Sequence, residues 1–482
     1  MTPFLQSFQF RDWKVFDLSR TPVFDFTRGL KCISIRDQIV RSVLLARDLN
    51  LFLEQEDIDQ ADIGIVGAGV CGIACAIELA NSGHSIVVYD KNKKPFELQG
   101  QCSTRWIDPT QYDWPINHWK RGRFPCVSSL EAKILAEKRV SIREFIQRSP
   151  FRYPASFASE LASIWSDDFR QFVEHNDSVS FRSEEVSFAI CKDDAGNDLY
   201  ALHPKGDPVN PQPFDAIINA QGFGVENCEL ESSPKFKGIP FWSNDPFELE
   251  NCELNQKPTV LISGSGDGAL QDLLRITTKQ SSAKAIYELL ELPGKVSTFV
   301  ESEILCAECI NERAFNNSSG REFSACYFQH AHDVHSNLAQ FALDEFGTLR
   351  DTILKLIEKG PAKTYLVNSS PFFNCQYPLN RFLTTLFVAA CRGNGDKIEW
   401  IKGRTAKIDN ELEQPEEVNE TDCIGGDWTV HIEEESGIRK LSANVIIIRH
   451  GFKRQDVAAD EKDFPNCLRP VPPSDLRFCQ ML

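Results

Sequence analysis

Residues 62–90 read DIGIVGAGVCGIACAIELANSGHSIVVYD, and their order decides the fold. Ile63 to Val66 form a short apolar run, interrupted by Gly64. Gly67, Gly69 and Gly72 follow in G-x-G-x-x-G spacing. Ala74, Ala76, Ile77, Leu79 and Ala80 continue at helical spacing, Gly83 closes the helix, and Ile86 to Tyr89 predict a second strand that ends at Asp90. The pattern is strand, tight turn, helix, strand, acid. Each part has a physical role in holding a dinucleotide. Gly67 permits the sharp turn. Gly69 has no Cβ, so a pyrophosphate can approach the backbone. Gly72 lets the helix pack closely on the sheet. The helix start offers unbonded N–H groups and the positive end of its dipole. Asp90 stands where a carboxylate accepts ribose hydroxyls.

Further along, Thr259 to Ile262 predict another apolar strand. It runs into Ser263-Gly264-Ser265-Gly266-Asp267-Gly268-Ala269-Leu270, a second strand, glycine turn and helix. Both halves continue through mostly helical sequence to a strand hairpin and a closing strand beside glycine. In the first half the hairpin turns near Asp194 to Asn197, and the closing strand is Phe214-Asp-Ala-Ile-Ile-Asn-Ala-Gln-Gly222. In the second the turn is Glu435-Ser-Gly437, and the strand leads to Arg449-His450-Gly451-Phe452. Repetition of a nucleotide-binding half predicts an α/β chain with two Rossmann-like domains carrying β-hairpin insertions. The expected division is an N-terminal arm over 1–60, a first domain over 61–255, and a second, with a helical insertion, over 256–482. Within the arm, Ile35, Ile39, Val43, Ala46 and Leu49 predict an amphipathic helix.

The chain has 482 residues and a formal net charge of −17. That balance argues against nucleic acid or an anionic membrane as the main partner. No apolar run is long enough to span a bilayer, the nearest being Phe382 to Cys391, and no signal peptide is apparent. Sixteen cysteines without an export signal are expected to be reduced thiols in a cytoplasmic protein. The loop after Asp90 concentrates Arg105, Trp106, Asp108, Tyr112, Trp114, His118 and Trp119. Here Arg105 can pair with a pyrophosphate and Trp106 or Trp114 can wall a flat ring. Alternatively, the loop is a structural cover held by buried tryptophans.

Taken together, these residues resemble the two-dinucleotide-binding-domain flavoproteins. That superfamily includes the thioredoxin reductase-like enzymes and the flavin-containing (class B) monooxygenases. Gly67, Gly69, Gly72 and Asp90 match its FAD fingerprint, and Ala220-Gln-Gly222 resembles its A-T-G element. Gly264-Ser-Gly266-Asp267-Gly268-Ala269 resembles its second motif, G-x-G-D-S-A, and Arg449 to Phe452 occupy the place of its last A-T-G-Y element. The resemblance implies FAD on the first motif and NAD(P)H on the second. The implied cofactor-binding set is Gly67, Ala68, Gly69, Val70, Cys71, Gly72, Asp90, Lys91, Arg105, Trp106 and Gly222, with Gly264, Ser265, Gly266, Asp267 and Gly268 in the second half. The implied activity is an FAD-dependent oxidoreductase passing electrons from NAD(P)H through flavin to O2 or a small organic substrate. The alternatives are a substrate-reduced oxidase, or a sensor or scaffold that binds FAD or NAD without turnover. Departures are specific: Trp242 replaces the histidine of the monooxygenase F-x-G-x-x-x-H signature begun by Phe236 and Gly238, and no Gly-Asp pair follows His450. Glu301, after Val296 to Val300, is the candidate ribose-binding acid of the second half.

Two other groups have alternative readings. His450, at a strand end beside glycine, is a general acid or base, or a structural histidine. Cys306-Ala-Glu-Cys309, with Cys326, His330, His332 and His335, is a zinc site, a redox dithiol, or neither. No metal is assigned to the chain.

Overall fold

The computed structural model describes residues 22–27, 34–108, 111–112, 114–115, 123–124, 153–192, 196, 198–206, 210–245, 257–317, 325–370, 372–373, 376–393, 395–410, 424–453 and 468–470. His118 and Trp119 lie outside them. The described residues divide between two compact units. One draws on Met1–Ser103, Arg121–Val225 and Arg454–Leu482, the other on Thr104–Lys120 and Glu226–Lys453.

In the first unit, β1 (Val23–Asp25) leads to α1 (Ile35–Gln55). Ser34 caps α1, accepting the Asp37 N–H at 3.2 Å and donating its hydroxyl to the Asp37 carboxylate at 2.9 Å. The predicted apolar stripe, Ile35, Ile39, Val43, Ala46 and Leu49, is buried. Then come β2 (Asp62–Val66), α2 (Val70–Asn81), β3 (Ser85–Asp90), α3 (Ala158–Glu174), β4 (Val179–Ser183), β5 (Val186–Lys192), β6 (Asp198–Pro204), β7 (Gln212–Pro213) and β8 (Ala216–Asn219). A six-stranded sheet has the order β15-β1-β8-β2-β3-β4, where β15 is Leu468–Pro470, and every pairing in it is parallel. Ile63, Ile65, Val88 and Ile217 are fully buried in it, as expected of a parallel sheet covered on both faces. Strands β5, β6 and β7 form the antiparallel hairpin insertion.

The second unit begins its sheet with β9 (Thr259–Ser263), followed by α4 (Asp267–Thr278), α5 (Ala283–Leu289), α6 (Gly294–Asn317), α7 (Ala325–Glu345) and α8 (Leu349–Leu356). Only then does β10 (Lys363–Asn368) pair with β9, before α9 (Pro378–Cys391), β11 (Ile398–Lys402), β12 (Arg404–Asn410), β13 (Ile424–Glu434) and β14 (Gly437–Ile448). The sheet order is β11-β10-β9-β14-β13-β12. Its first four strands are parallel and its last three form an antiparallel meander. The parallel set β14-β9-β10-β11 has the same chain logic as β8-β2-β3-β4: closing strand, glycine strand, second strand, third strand. The fold is therefore α/β with two Rossmann-like sheets, the second carrying a helical insertion between its first helix and second strand.

That insertion corrects one expectation. Val296 to Val300 are helical, and Glu301 sits within α6, where its carboxylate accepts the Tyr287 hydroxyl at 3.0 Å. The helix that leaves the second glycine turn ends at Thr278: Lys279 is left-handed at φ +58°, and Ser282 starts α5 by accepting the Ala285 N–H at 3.1 Å. The apolar stretch Phe382 to Cys391 lies in α9, within the second unit's core. No helix among the described residues is long and apolar enough to cross a membrane.

Candidate functional site

The two glycine turns share the backbone bonds that tie them to the neighbouring strands. In the first, the Gly67 N–H donates to Tyr89 C=O at 2.7 Å and the Ala220 N–H to Val66 C=O at 2.7 Å. In the second, the Gly264 N–H donates to Val367 C=O at 2.9 Å and the Arg449 N–H to Ser263 C=O at 2.7 Å. Gly67 has φ +107°, and a Cβ there would lie 2.3 Å from the Ala220 carbonyl oxygen. Gly264 has φ +145°, with the Arg449 carbonyl oxygen equally at 2.3 Å. A Cβ on Gly72 would meet the Gly67 carbonyl oxygen at 1.9 Å, so that glycine is demanded by the turn itself.

Gly69 and Gly266 differ from these. Each is the N-cap of its helix in extended conformation, and a Cβ on either would meet nothing within 4 Å. The space in front of these two residues is open. The N–H groups that open α2 and α4 lie at the positive end of the helix dipole, with the Ala269 N–H already donating to Gly266 C=O at 3.0 Å. The arrangement can hold an anion against each helix start, and it fits a dinucleotide pyrophosphate at both turns.

Asp90, at the end of β3, is half-buried and accepts the Ala68 N–H at 2.6 Å on one oxygen and the Asn92 N–H at 2.7 Å on the other. These bonds orient its carboxylate and leave it lone pairs for hydroxyl donors. Lys91 is exposed beside it. Val70 and Cys71 start α2, where Cys71 donates its thiol to Gln38 Oε1 at 3.5 Å. Burial pushes that thiol up to about 11, so it is not a reactive thiolate. Gly222, two residues beyond Ala220, has φ +88° and open space at its Cβ position; Gly451, two beyond Arg449, matches it at φ +79°.

In the second turn, Ser265 C=O accepts from the Gln376 side-chain amide. Asp267 Oδ1 accepts the Tyr377 N–H at 2.8 Å and Asn380 Nδ2 at 2.9 Å. A Cβ on Gly268 would lie 3.2 Å from the Phe241 ring. The register of the repeat assigns Asn368 the place Asp90 holds in the first unit, because Val367 corresponds to Tyr89. Asn368 is buried, its Oδ1 accepting the Ser370 N–H at 3.0 Å. Spacing from the glycines misses this residue, since the helices of the insertion intervene. The strand pairing with β9 identifies it.

Arg105 is corrected. It was expected to pair with a pyrophosphate, but its guanidinium is buried in an ion network of the second unit. It bonds Asp272 and lies 3.1 Å from Asp245, and its guanidinium stacks over the Phe241 ring at 4.1 Å. Arg275 bridges the same two carboxylates at 2.8 and 3.0 Å, and Arg449 Nε reaches Asp272 at 2.8 Å. Burial alone would raise the Asp272 carboxyl, and Arg105, Arg449 and Arg275 more than reverse it, holding Asp272 far below the ordinary aspartate range. Trp114 takes the structural of its two readings: it is buried, stacked on Phe382 at 5.5 Å and edge-on to Tyr287. Trp106 is half-buried and lines a small recess with Arg105, Gln111, Gln271, Arg275 and Ser282.

His450 Nε2 lies 2.8 Å from Ser263 Oγ, which also accepts the Thr405 hydroxyl at 2.7 Å. Burial lowers its pKa below the usual histidine value, so the ring is neutral at physiological pH. Phe236 is buried edge-on against Trp428, and a Cβ on Gly238 would meet Cys228 C=O at 2.3 Å, so this Phe-x-Gly pair is a packing element. Among the described residues no three His, Cys, Asp or Glu side chains converge on a metal position. His335 instead sits 3.1 Å from Glu308, and His332 lies edge-on to Phe373 and Trp400. The side chains of Cys309 and Cys326 are outside the described residues.

The family model for an NAD(P)-binding Rossmann-like domain matches residues 65–133, which include the first glycine turn. The chain is 23% identical over 278 residues to the flavin-containing monooxygenase FMO GS-OX-like 4 of Arabidopsis thaliana, covering 50% of this chain and 56% of that protein. It is also 23% identical over 272 residues to FMO GS-OX1 of the same plant, covering 52% and 55%. The chain thus spans about half the length of the curated relatives it matches. Among solved structures, the thioredoxin reductase of T. acidophilum matches with 11% identity, 82% of this chain, 79% of that chain and a TM-score of 0.36. The bacillithiol disulfide reductase Bdr of Staphylococcus aureus matches with 11% identity, 85% and 80% coverage and a TM-score of 0.37.

Proposed function

We propose that this chain is an FAD-dependent, NAD(P)H-dependent oxidoreductase of the flavin monooxygenase type, acting on a small organic substrate. The observation that carries the reading is the repeated turn, open at Gly69 and at Gly266 and closed by backbone contact at Gly67 and Gly264. The similarity to plant flavin-containing monooxygenases supports it. The proposed domain assignment follows: a flavin-binding domain on the first glycine turn, with the arm of residues 1–60 beside it, and a nicotinamide-binding domain on the second. A cytoplasmic location belongs to the same proposal.

In the first site, Gly67 to Gly72 would hold the pyrophosphate of FAD on the start of α2, and Asp90 would accept the ribose hydroxyls, with Lys91 and Gly222 beside them. In the second, Gly264 to Gly268 hold the pyrophosphate of the nicotinamide nucleotide on the start of α4. FAD held in the first site would supply two-electron redox chemistry between a nicotinamide nucleotide and O2. The protein residues bind, orient and exclude water. His450 is the residue of this chain proposed to handle a proton. His450→Gln, which retains an amide able to bond Ser263, is expected to lower turnover by ~100-fold and to flatten the pH profile, with nucleotide affinity unchanged. Parent-like turnover would return His450 to a packing role.

The reading is tested by the visible spectrum of the purified protein under nitrogen, before and after NADH or NADPH. Flavin bands at about 370 and 450 nm that bleach with one nucleotide are expected. Bands that bleach only with an organic substrate would make the protein a substrate-reduced oxidase. Bands that bleach with nothing would favour the non-catalytic sensor. No flavin after reconstitution would overturn the reading.

A further inference from the structure

The carbonyl inside each glycine turn is anchored, but by different means. In the first turn Ala68 C=O accepts a backbone N–H, that of Phe96, at 3.0 Å. Its counterpart in the second turn, Ser265 C=O, accepts a side chain, the Gln376 amide. Gln376 is itself held. Its own C=O accepts Arg381 Nη2 at 3.1 Å, and Arg381 Nη1 donates to Glu308 Oε1 at 2.6 Å. Glu308 belongs to α6 of the insertion, and its Oε1 is also 3.1 Å from His335 Nε2 on α7. Burial pushes His335 down to about 4, so the ring is neutral and Arg381 alone of these partners carries a charge that matches Glu308. Gln376, Arg381, Glu308 and His335 are all buried, at 5%, 1%, 5% and 0% exposure. The same segment fixes the helix start through Tyr377 and Asn380 on Asp267.

A continuous line of buried polar contacts therefore runs from the helical insertion to the second glycine turn. Such a line constrains geometry, because each member bonded in low dielectric loses a full hydrogen bond when its neighbour moves. We propose that Glu308, Arg381 and Gln376 are positioning residues through which the insertion sets the conformation of the second glycine turn and hence its affinity for the nicotinamide nucleotide. The affinity part rests on the reading of this turn as the nucleotide site; the conformational part does not.

Two variants test it. Gln376→Met keeps the side-chain length and removes the donor to Ser265. The double variant Glu308→Gln with Arg381→Met removes both members of a buried pair together, leaving no unpaired charge to unfold the unit. Amide exchange is measured without nucleotide on peptides covering 263–270 and 65–73, alongside flavin content and the Kd of NADH and NADPH. Both variants are expected to exchange faster over 263–270 and like the parent over 65–73. Flavin content should be unchanged, kcat at saturating nucleotide should be kept, and Kd should rise about tenfold, the effect of one lost buried hydrogen bond. Parent-like exchange over 263–270 would overturn the proposal, whatever the nucleotide does. Faster exchange with parent-like Kd would overturn the affinity part. If the parent binds neither nucleotide, the functional reading of the turn fails and the exchange result still decides the positioning role.

Discussion

A Gly69→Val variant is expected to fold like the parent and to purify without flavin. Gly69 sits at φ −80° and ψ −171°, extended backbone that valine adopts readily, and a Cβ there meets no atom within 4 Å. A side chain there thus starts into open space. It does occupy the space through which a pyrophosphate must reach the N–H groups of α2. A loss of ~100-fold or more in FAD affinity is expected, about 2.7 kcal/mol. The measurement is the absorbance ratio of flavin to protein, with thermal melting compared against flavin-stripped parent, since bound cofactor stabilises the parent by mass action. Gly72→Ala provides the contrast. Its methyl group would collide with the Gly67 carbonyl at 1.9 Å, so both flavin and melting temperature should fall. A yellow Gly69→Val protein with parent-like flavin content would remove the first turn as the flavin site. Gly266→Val, at the equivalent open position, should keep flavin and weaken nucleotide binding.

What the sequence makes legible here follows from how local each signal is. The first βαβ unit is legible nearly to the residue, because strand, turn, helix and second strand are contiguous from Asp62 to Asp90, and Gly67 and Gly72 answer to the end of the closing strand and to the turn itself. The helix over Ile35–Gln55 is equally plain, having both an apolar stripe and the Ser34 cap. The second unit shows its glycine turn for the same reason, but its second strand lies beyond five helices. Thus Glu301, chosen by following the chain, proves to be helical, and Asn368, chosen by strand pairing, takes the place of Asp90. Arg105 illustrates a different limit. An arginine in an aromatic loop has the chemistry of a phosphate ligand, and only the fold reveals that Asp245 and Asp272, 140 and more residues away in the chain, already bind it. The relay through Gln376 is invisible for the same reason, since nothing local marks a glutamine as the partner of a distant carbonyl.

Asp272→Asn is expected to be the most destabilising single change in the second unit. Asp272 is wholly buried on α4, and three guanidiniums converge on it: Arg105 from the tryptophan-rich loop, Arg275 from its own helix, and Arg449 from the end of β14. Asparagine preserves the shape and removes the charge. Arg105 and Arg275 would then share Asp245, while Arg449 would keep the Ile239 and Ile448 carbonyls without a carboxylate, and an uncompensated buried charge costs about 3–5 kcal/mol. The expected result is a fall of that size in the unfolding free energy from urea denaturation. The penalty comes from the charge left behind rather than from an intrinsic strength of the pair. Asp272→Leu combined with Arg449→Met should therefore recover much of the loss, because it removes the carboxylate together with the cation that has no second carboxylate, and leaves Arg105 and Arg275 with Asp245. Equal destabilisation in single and double variants would overturn this account. The pH dependence follows from the same network. A carboxylate held below its ordinary value contributes its stabilisation at neutral pH and keeps it while the unfolded chain's aspartate is also ionised. It begins to lose that contribution as pH falls through about 3.9, where the unfolded chain takes up the proton that the native network still refuses. In the parent, a steep loss of stability is expected below about pH 4. The Asp272→Asn variant should lack that component and show a shallower acid limb from a lower starting stability.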